Sequence, residues 1–218
     1  MRYKCLVLDH DDTAVDSTPQ VHYPSFVETM GILRKDMPLH TLEGFILKCF
    51  EPGFGPFCTD ILKMSEDEIQ TQYGIWRKHT EKTIPDFFEG FIEMLWKFKE
   101  AGGILTVVSH SEKERILRDY NFHGAPDPDM VFGWDSNPKK RKPDPYPLDE
   151  IMKAFSLKPS QLLMVDDLKP GLQMARKAGV DFAAAGWAYE IPQIHDFMKK
   201  ESDYYFETIK SFEKTVLY

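Results

Sequence analysis

Five short apolar runs constrain this chain more than any other feature. They are CLVL (5–8), ILTVV (104–108), MVF (130–132), LLMV (162–165) and DFAAA (181–185). Each is about strand length and none alternates cleanly, as expected of strands buried on both faces. Helical patterns lie between most of them. FFEGFIEMLWKFKEAGG (87–103) carries apolar residues at helical spacing and stops at Gly102-Gly103. SEKERILRDY (111–120), LDEIMKAF (148–155) and GLQMARKAG (171–179) follow the later runs. Strand–helix alternation predicts a parallel sheet covered by helices, an α/β fold.

Residues 16–85 break this alternation. No strand-like run occurs there, and the periodicity predicts helices near 19–34, 40–50 and 65–82. Thr18-Pro19 reads as an N-cap with proline at the first helical position. Ser65-Glu66-Asp67-Glu68 fits a capping box. A helical module is therefore expected after the first strand, leaving 1–15 and 86–218 for the α/β part. Inside the module, EPGFGPF (51–57) reads as a surface loop or as a loop that touches substrate. The tail (190–218) predicts a short helix, an edge strand at DYYFE and a last helix.

Composition narrows the partners. The chain has 218 residues, 42% hydrophobic and 28% charged, with a net charge of −8. That balance is globular, and it disfavours general binding to nucleic acid or an anionic membrane. An anionic substrate would need cations placed locally. Met1-Arg2-Tyr3-Lys4 leads into only four apolar residues, so no signal peptide is expected, and no run reaches the ~18 apolar residues of a membrane span. Cys5, Cys49 and Cys58 lack CxxC spacing and read as reduced, buried thiols of a cytoplasmic protein. The seven histidines form no HExxH pattern, which argues against structural zinc.

The chemistry lies where the apolar runs end. In open α/β sheets ligands bind beyond the carboxyl ends of the strands. CLVL ends in Asp9, ILTVV in Ser109, and LLMV in Asp166-Asp167; KKRKPDP (139–145) follows MVF and supplies Lys142. In a parallel sheet these groups converge on one edge. Asp9 and Asp11, one residue apart, point the same way if the chain is still extended. Facing Asp166 and Asp167, they repel unless a divalent cation intervenes. Magnesium suits a few carboxylates, waters and a substrate phosphate. A carboxylate beside a phosphate can attack it to give an aspartyl-phosphate. A second carboxylate can protonate the leaving oxygen and later deprotonate water. Ser109 can donate to phosphate oxygens, and Lys142 can balance charge.

Each piece alone has a plainer reading. DHDDT suits a solvated turn. An EF-hand loop starting at Asp9 fails, because Ala14 and Gln20 stand where glycine and glutamate are needed. Ser109 suits a helix cap, as do Asp166-Asp167. KKRK suits a solvated or nucleic-acid-binding patch, and His22 suits a packing role.

The ordered combination resembles the haloacid dehalogenase superfamily of phosphohydrolases. LVLDHDDTAVDS is similar to its first motif, Asp-x-Asp-x-Thr after a hydrophobic strand. TVVSHS resembles the second, RKPDPYPL the third, and LLMVDDLKPGLQMARKAG the fourth. The resemblance implies a Rossmann-like three-layer α/β/α core (1–15 and 86–218) with an inserted α-helical cap domain (16–85). It implies Asp9 as nucleophile and magnesium ligand. Asp11 would be general acid/base and bind magnesium through its backbone carbonyl. Ser109, with the His110 backbone N–H, would hold the phosphoryl group, and Lys142 both nucleophile and phosphate. Asp167 would bind magnesium, with Asp166 touching the ion or standing behind a ligand, and Thr13 would support the first turn. The cap would close over a small substrate and exclude water. The sequence departs from the common pattern at Asp12, where many relatives have glycine, and at Asp166, where many have Gly-Asp. Pro170 and Gly171 occupy the positions of a later acidic residue.

The expected function is a Mg2+-dependent phosphatase acting on a small phosphorylated metabolite, similar to the phosphoglycolate phosphatase-like branch, in a cytoplasmic monomer. The alternative is a phosphomutase of the β-phosphoglucomutase type. A receiver-like signalling module is a different class, but there the acidic pair precedes the phosphoaccepting aspartate and no cap intervenes. A catalytically silent binding protein on the same fold is a further reading.

Overall fold

The computed structural model describes residues 2–218. It divides into two compact units, Met1–Val15 with Asp86–Tyr218, and Asp16–Pro85.

The first unit is built on a six-stranded, all-parallel sheet in the order β3-β2-β1-β4-β5-β6. The strands are β1 (Cys5–Leu8), β2 (Ile104–Val108), β3 (Met130–Phe132), β4 (Leu162–Asp166), β5 (Asp181–Ala185) and β6 (Tyr204–Phe206). All five expected runs are strands, and DYYFE supplies the edge strand. β1 lies at the centre, and all four of its residues are buried. Its neighbours are β2 and β4, with Cys5 opposite Ile104 on one side and Leu162 on the other. Strand order reverses beside β1, the place where open sheets part to admit a ligand.

One sheet face is covered by α5 (Phe91–Glu100), α6 (Lys113–Phe122) and α10 (Ile209–Leu217). The spacing of Phe91, Met94, Leu95 and Phe98 puts four side chains on one stripe of α5, all fully buried against Leu6, Leu8, Leu105 and Val107. Burying each contributes about 1.5–3 kcal/mol. The helices α7 (Tyr146–Phe155), α8 (Lys169–Ala178) and α9 (Pro192–Glu201) complete the unit. Helix α8 packs on β4 and β5. It ends at Gly179, whose φ of +68° is the left-handed turn that returns the chain to β5.

The second unit is helical. A turn at Thr18–His22 leads into α1 (Tyr23–Leu33), followed by α2 (Leu42–Lys48), the single turn α3 (Phe54–Pro56) and the long α4 (Glu66–Lys82). Phe26, Met30, Phe45, Phe57, Cys58, Leu62 and Met64 form its core. The Phe26 and Phe45 rings lie 4.7 Å apart, within the range of favourable ring pairs. Ser65 and Glu68 form the reciprocal capping box at the start of α4. Glu68 also pairs with the Arg34 guanidinium, at 2.6 and 2.8 Å. His22 packs: Trp76 Nε1 donates to its Nδ1, and the two rings stack.

Three expectations need correction. EPGFGPF is exposed over most of its length and breaks at Glu51 and Gly53, whose dihedrals are not helical, but it resumes as a helical turn from Phe54, and its last residue, Phe57, is fully buried. The turn from Phe54 delivers Phe57 to the aromatic core beside Phe26. Thr18 does not cap. The turn starts at Thr18 itself, and Ser17 before it already has helical dihedrals and makes no capping bond. Cys49 is half-buried rather than buried, although no disulfide joins any of the three cysteines.

Candidate active site

Parallel pairing of β1 with β4 places Leu8 opposite Val165, so the next residues, Asp9 and Asp166, emerge side by side. The Asp9 amide continues the ladder by donating to the Val165 carbonyl. On the other side, Ser109 leaves β2, its amide bonded to Phe132 O. Just past Asp9 the chain turns. Asp12 has φ +54°, its amide donates to Val15 O, and Ala14 and Val15 both donate to His10 O. A left-handed residue is unusual outside glycine, and aspartate is among those that tolerate it. The turn explains why aspartate and glycine are both workable at position 12.

Asp9, Asp166 and Asp167 are buried and present carboxylate oxygens within 4.8 Å of one another. Lys142, also buried, places Nζ 2.6 Å from Asp166 Oδ2 and 2.8 Å from Asp9 Oδ1. The first contact is a well-angled hydrogen bond. The second brings the same ammonium against the buried Asp9 Oδ1 as an ion pair. The electrostatics reflect one ammonium among several carboxylates. Burial would lower the Lys142 pKa, but Asp166 and Asp9 outweigh it and hold the ammonium above the usual lysine range. Burial pushes Asp166 up to about 6, against the pull of Lys142 and with the push of Asp9. Asp167 is raised well above the carboxylate range by burial, then by Asp166, Asp9 and Asp12. Three buried carboxylates crowded together form an all-oxygen donor set suited to a hard divalent cation.

Asp11 is half-buried and faces elsewhere. Its Oδ2 accepts from Ser111 Oγ at 2.5 Å and from Ser109 Oγ at 3.4 Å, so its carboxylate is not part of the acidic trio. Ser109 also accepts from the Ser111 amide. Neither Ser109 nor the acidic pair is an N-cap: α6 starts after Glu112 and α8 after Leu168. Asp166 Oδ1 does accept from the Leu168 amide, which fixes its carboxylate while Oδ2 holds Lys142. The His110 ring is exposed. Its Nε2 lies 2.9 Å from Lys142 O, and its ring meets the edge of Trp134. In the KKRK stretch Lys142 alone turns inward, while Lys139 and Lys140 are exposed. Thr13 Oγ1 donates to Asp167 Oδ1 at 3.3 Å.

Sequence reasoning missed four contributors. Ser111 was visible as the second serine of TVVSHS, but nothing local marks it as a donor to Asp11. His10, between the two aspartates, is buried and bonds Asp119 of α6 through Nε2 at 3.0 Å. Tyr189, from the loop after β5, reaches both Asp12 and Asp167. Gly171 gives helix α8 its close approach to Asp166, since an added Cβ would meet Asp166 Oδ2 at 2.2 Å.

The family model for haloacid dehalogenase-like hydrolases matches residues 7–185. The chain belongs to that family. The match spans the first turn, Ser109, Lys142 and the acidic pair, so the converging strand ends and the family signature coincide. A phosphoglycolate phosphatase of Nitrosospira multiformis is 26% identical over 199 residues, covering 85% of this chain and 84% of that protein. The pyrophosphatase PpaX of Halalkalibacterium halodurans is 27% identical, covering 62% of this chain and 64% of its own. The fold resembles the crystal structure of a predicted phosphoglycolate phosphatase from Haemophilus somnus. The TM-score there is 0.78 at 20% identity, over 99% of this chain and 98% of that one. The family is one of hydrolases, and the relatives are phosphatases. No helix among the described residues is long and apolar enough to cross a membrane.

Proposed function

We propose that this hydrolase is a Mg2+-dependent phosphatase that cleaves a small phosphate monoester through an aspartyl-phosphate on Asp9. The observation that carries the reading is the buried trio Asp9, Asp166 and Asp167 with Lys142 between two of its members. Asp9, Asp166 and Asp167 would hold the cation, which neutralises the crowded charge and polarises the phosphoryl oxygens.

The chain's own groups account for the rest. A carboxylate oxygen of Asp9 bonds to phosphorus as the ester P–O bond breaks, and Asp11 gives its proton to the departing oxygen. In the second half Asp11 takes a proton from water, and the water oxygen displaces Asp9 from phosphorus. Phosphate leaves, Asp9 returns as a carboxylate and Asp11 as the protonated acid. Lys142 orients Asp9, and Ser109 with the His110 amide holds the phosphoryl oxygens. Ser111 keeps the Asp11 carboxylate beside Ser109. The helical unit 16–85 acts as the family's cap and selects the substrate. Three cysteines without a disulfide suit a reducing cytoplasm, and the protein works as a monomer.

The names of the relatives make phosphoglycolate and pyrophosphate the first compounds to try. Purified protein should release phosphate from p-nitrophenyl phosphate with Mg2+ and stop on adding EDTA. Asp9→Asn should lower kcat at least ~10³-fold while circular dichroism stays unchanged. Near wild-type turnover in that variant would show that Asp9 is not the nucleophile. Isomerised sugar phosphate without free phosphate would favour the mutase instead.

A further inference from the structure

We propose that Tyr189 is a positioning residue for the metal ligand Asp167, acting from a loop that carries none of the four motifs. The proposal rests on the reading of Asp9, Asp166 and Asp167 as the Mg2+ ligands. Tyr189 Oη lies 2.7 Å from Asp12 Oδ2 and 2.8 Å from Asp167 Oδ2. With Thr13 on Oδ1, each oxygen of Asp167 then has a hydroxyl within hydrogen-bond distance, which restrains the plane of its carboxylate. Without these donors the side chain would be free to turn about χ2, and the repulsion of Asp12, Asp9 and Asp166 would push it from the cluster.

The loop that presents Tyr189 is itself pinned. Trp187 Nε1 donates to Thr13 O at 3.0 Å, and the Trp187 ring packs on Phe91 and Phe212 of the core. The Tyr189 carbonyl bonds His195 Nε2 on α9. At Gly186 the backbone lies so close to Tyr205 that a Cβ would meet its ring at 2.4 Å. The phenol is thus held by the sheet and by α9, and it ties the β5 loop to both the first turn and the end of β4. A phenol has one proton, so it bonds one carboxylate at a time and bridges two groups that otherwise repel. Outer hydrogen bonds of this kind set ligand orientation, and losing one costs roughly 10–100-fold in metal affinity.

The test is Mg2+ titration of EDTA-stripped protein by calorimetry, with no substrate present. Tyr189→Phe should raise the Mg2+ dissociation constant 10–100-fold. Its far-UV circular dichroism should match wild type, so that the affinity is read on folded protein. A Mg2+ affinity within twofold of wild type overturns the proposal. Wild-type protein that binds no Mg2+ overturns the phosphatase reading as well, which separates the two failures. Should Tyr189→Phe not fold, the comparison moves to a background with one carboxylate fewer. Asp12→Gly suits the φ of +54° and removes the repulsion. Asp12→Gly/Tyr189→Phe should bind Mg2+ 10–100-fold more weakly than Asp12→Gly alone, and equal affinities overturn the proposal.

Discussion

Gly171 makes room for Asp166. The carboxylate sits where the Cβ of any other residue at 171 would be, 2.2 Å from Oδ2 and 2.6 Å from the Asp166 Cβ. The helix backbone can approach the end of β4 only because position 171 has no side chain, and Asp166 is thereby held against Lys142 at 2.6 Å.

Gly171→Ala should therefore damage the site as well as the fold. Either Asp166 or the start of α8 must move, at a cost of about 1–3 kcal/mol for an overpacked buried position. A lower urea midpoint together with weaker Mg2+ binding is the expected result. An unchanged midpoint would show that the helix yields without strain.

Lys142→Met removes the one cation between two buried carboxylates. Breaking a buried pair by deleting one partner costs roughly 3–5 kcal/mol. Urea unfolding in EDTA should show that loss, and turnover should fall below detection. Because the cation also opposes the acidic cluster, added Mg2+ should recover more stability in the variant than in wild type.

The metal-free protein should lose stability as pH rises. Asp166 is raised to about 6 from an ordinary 3.8, so the folded state holds a proton that the unfolded chain has released. A raised carboxylate contributes stability that is full below 3.8 and is lost as pH climbs through about 6. Asp167 is raised too and acts in the same direction. In EDTA the melting temperature should fall between pH 4 and pH 7 for this part of the molecule. Mg2+, which replaces the protons, should raise it more at pH 7.5 than at pH 5. Equal Mg2+ shifts at both pH values would contradict the linkage.

Asp119→Ala should be costly although Asp119 lies outside the chemistry. Its Oδ2 is the partner of His10 Nε2, and His10 Nδ1 is already buried without one. The variant leaves the whole ring unsatisfied, at about 1–3 kcal/mol. Because His10 O anchors the turn through Ala14 and Val15, kcat should fall with stability. Chemical denaturation and steady-state kinetics on the same preparation check both.

Ser111→Ala removes the hydroxyl 2.5 Å from Asp11. The group placed to shuttle protons then loses that donor, and the Ser109 hydroxyl stands farther off, at 3.4 Å. A kcat roughly 10-fold lower with KM nearly unchanged is expected, since the lost interaction serves proton transfer rather than binding. A rise in KM alone would place Ser111 in substrate binding instead.

The strands were legible because each is an uninterrupted apolar run, and burial on both faces leaves that mark in the sequence. Asp9, Ser109, Lys142, Asp166 and Asp167 were legible for a related reason: each lies at or just beyond the end of such a run, or in the motif after one. The sequence by itself thus determined the parallel sheet and the set of chemical groups at its edge. Only the tertiary structure decided how those groups are shared out. Lys142 bridges Asp9 and Asp166, Asp11 turns to Ser111, and Asp167 is held by Thr13 and Tyr189. The end of EPGFGPF is helical and buried where Phe57 fills an aromatic core assembled from distant helices. Asp12, which by local pattern only shapes a turn, shares a phenol from 177 positions away. Local periodicity records which face of an element is buried. Which partner meets a given carboxylate depends on loops brought together by strand order, and no local signal encodes that distance.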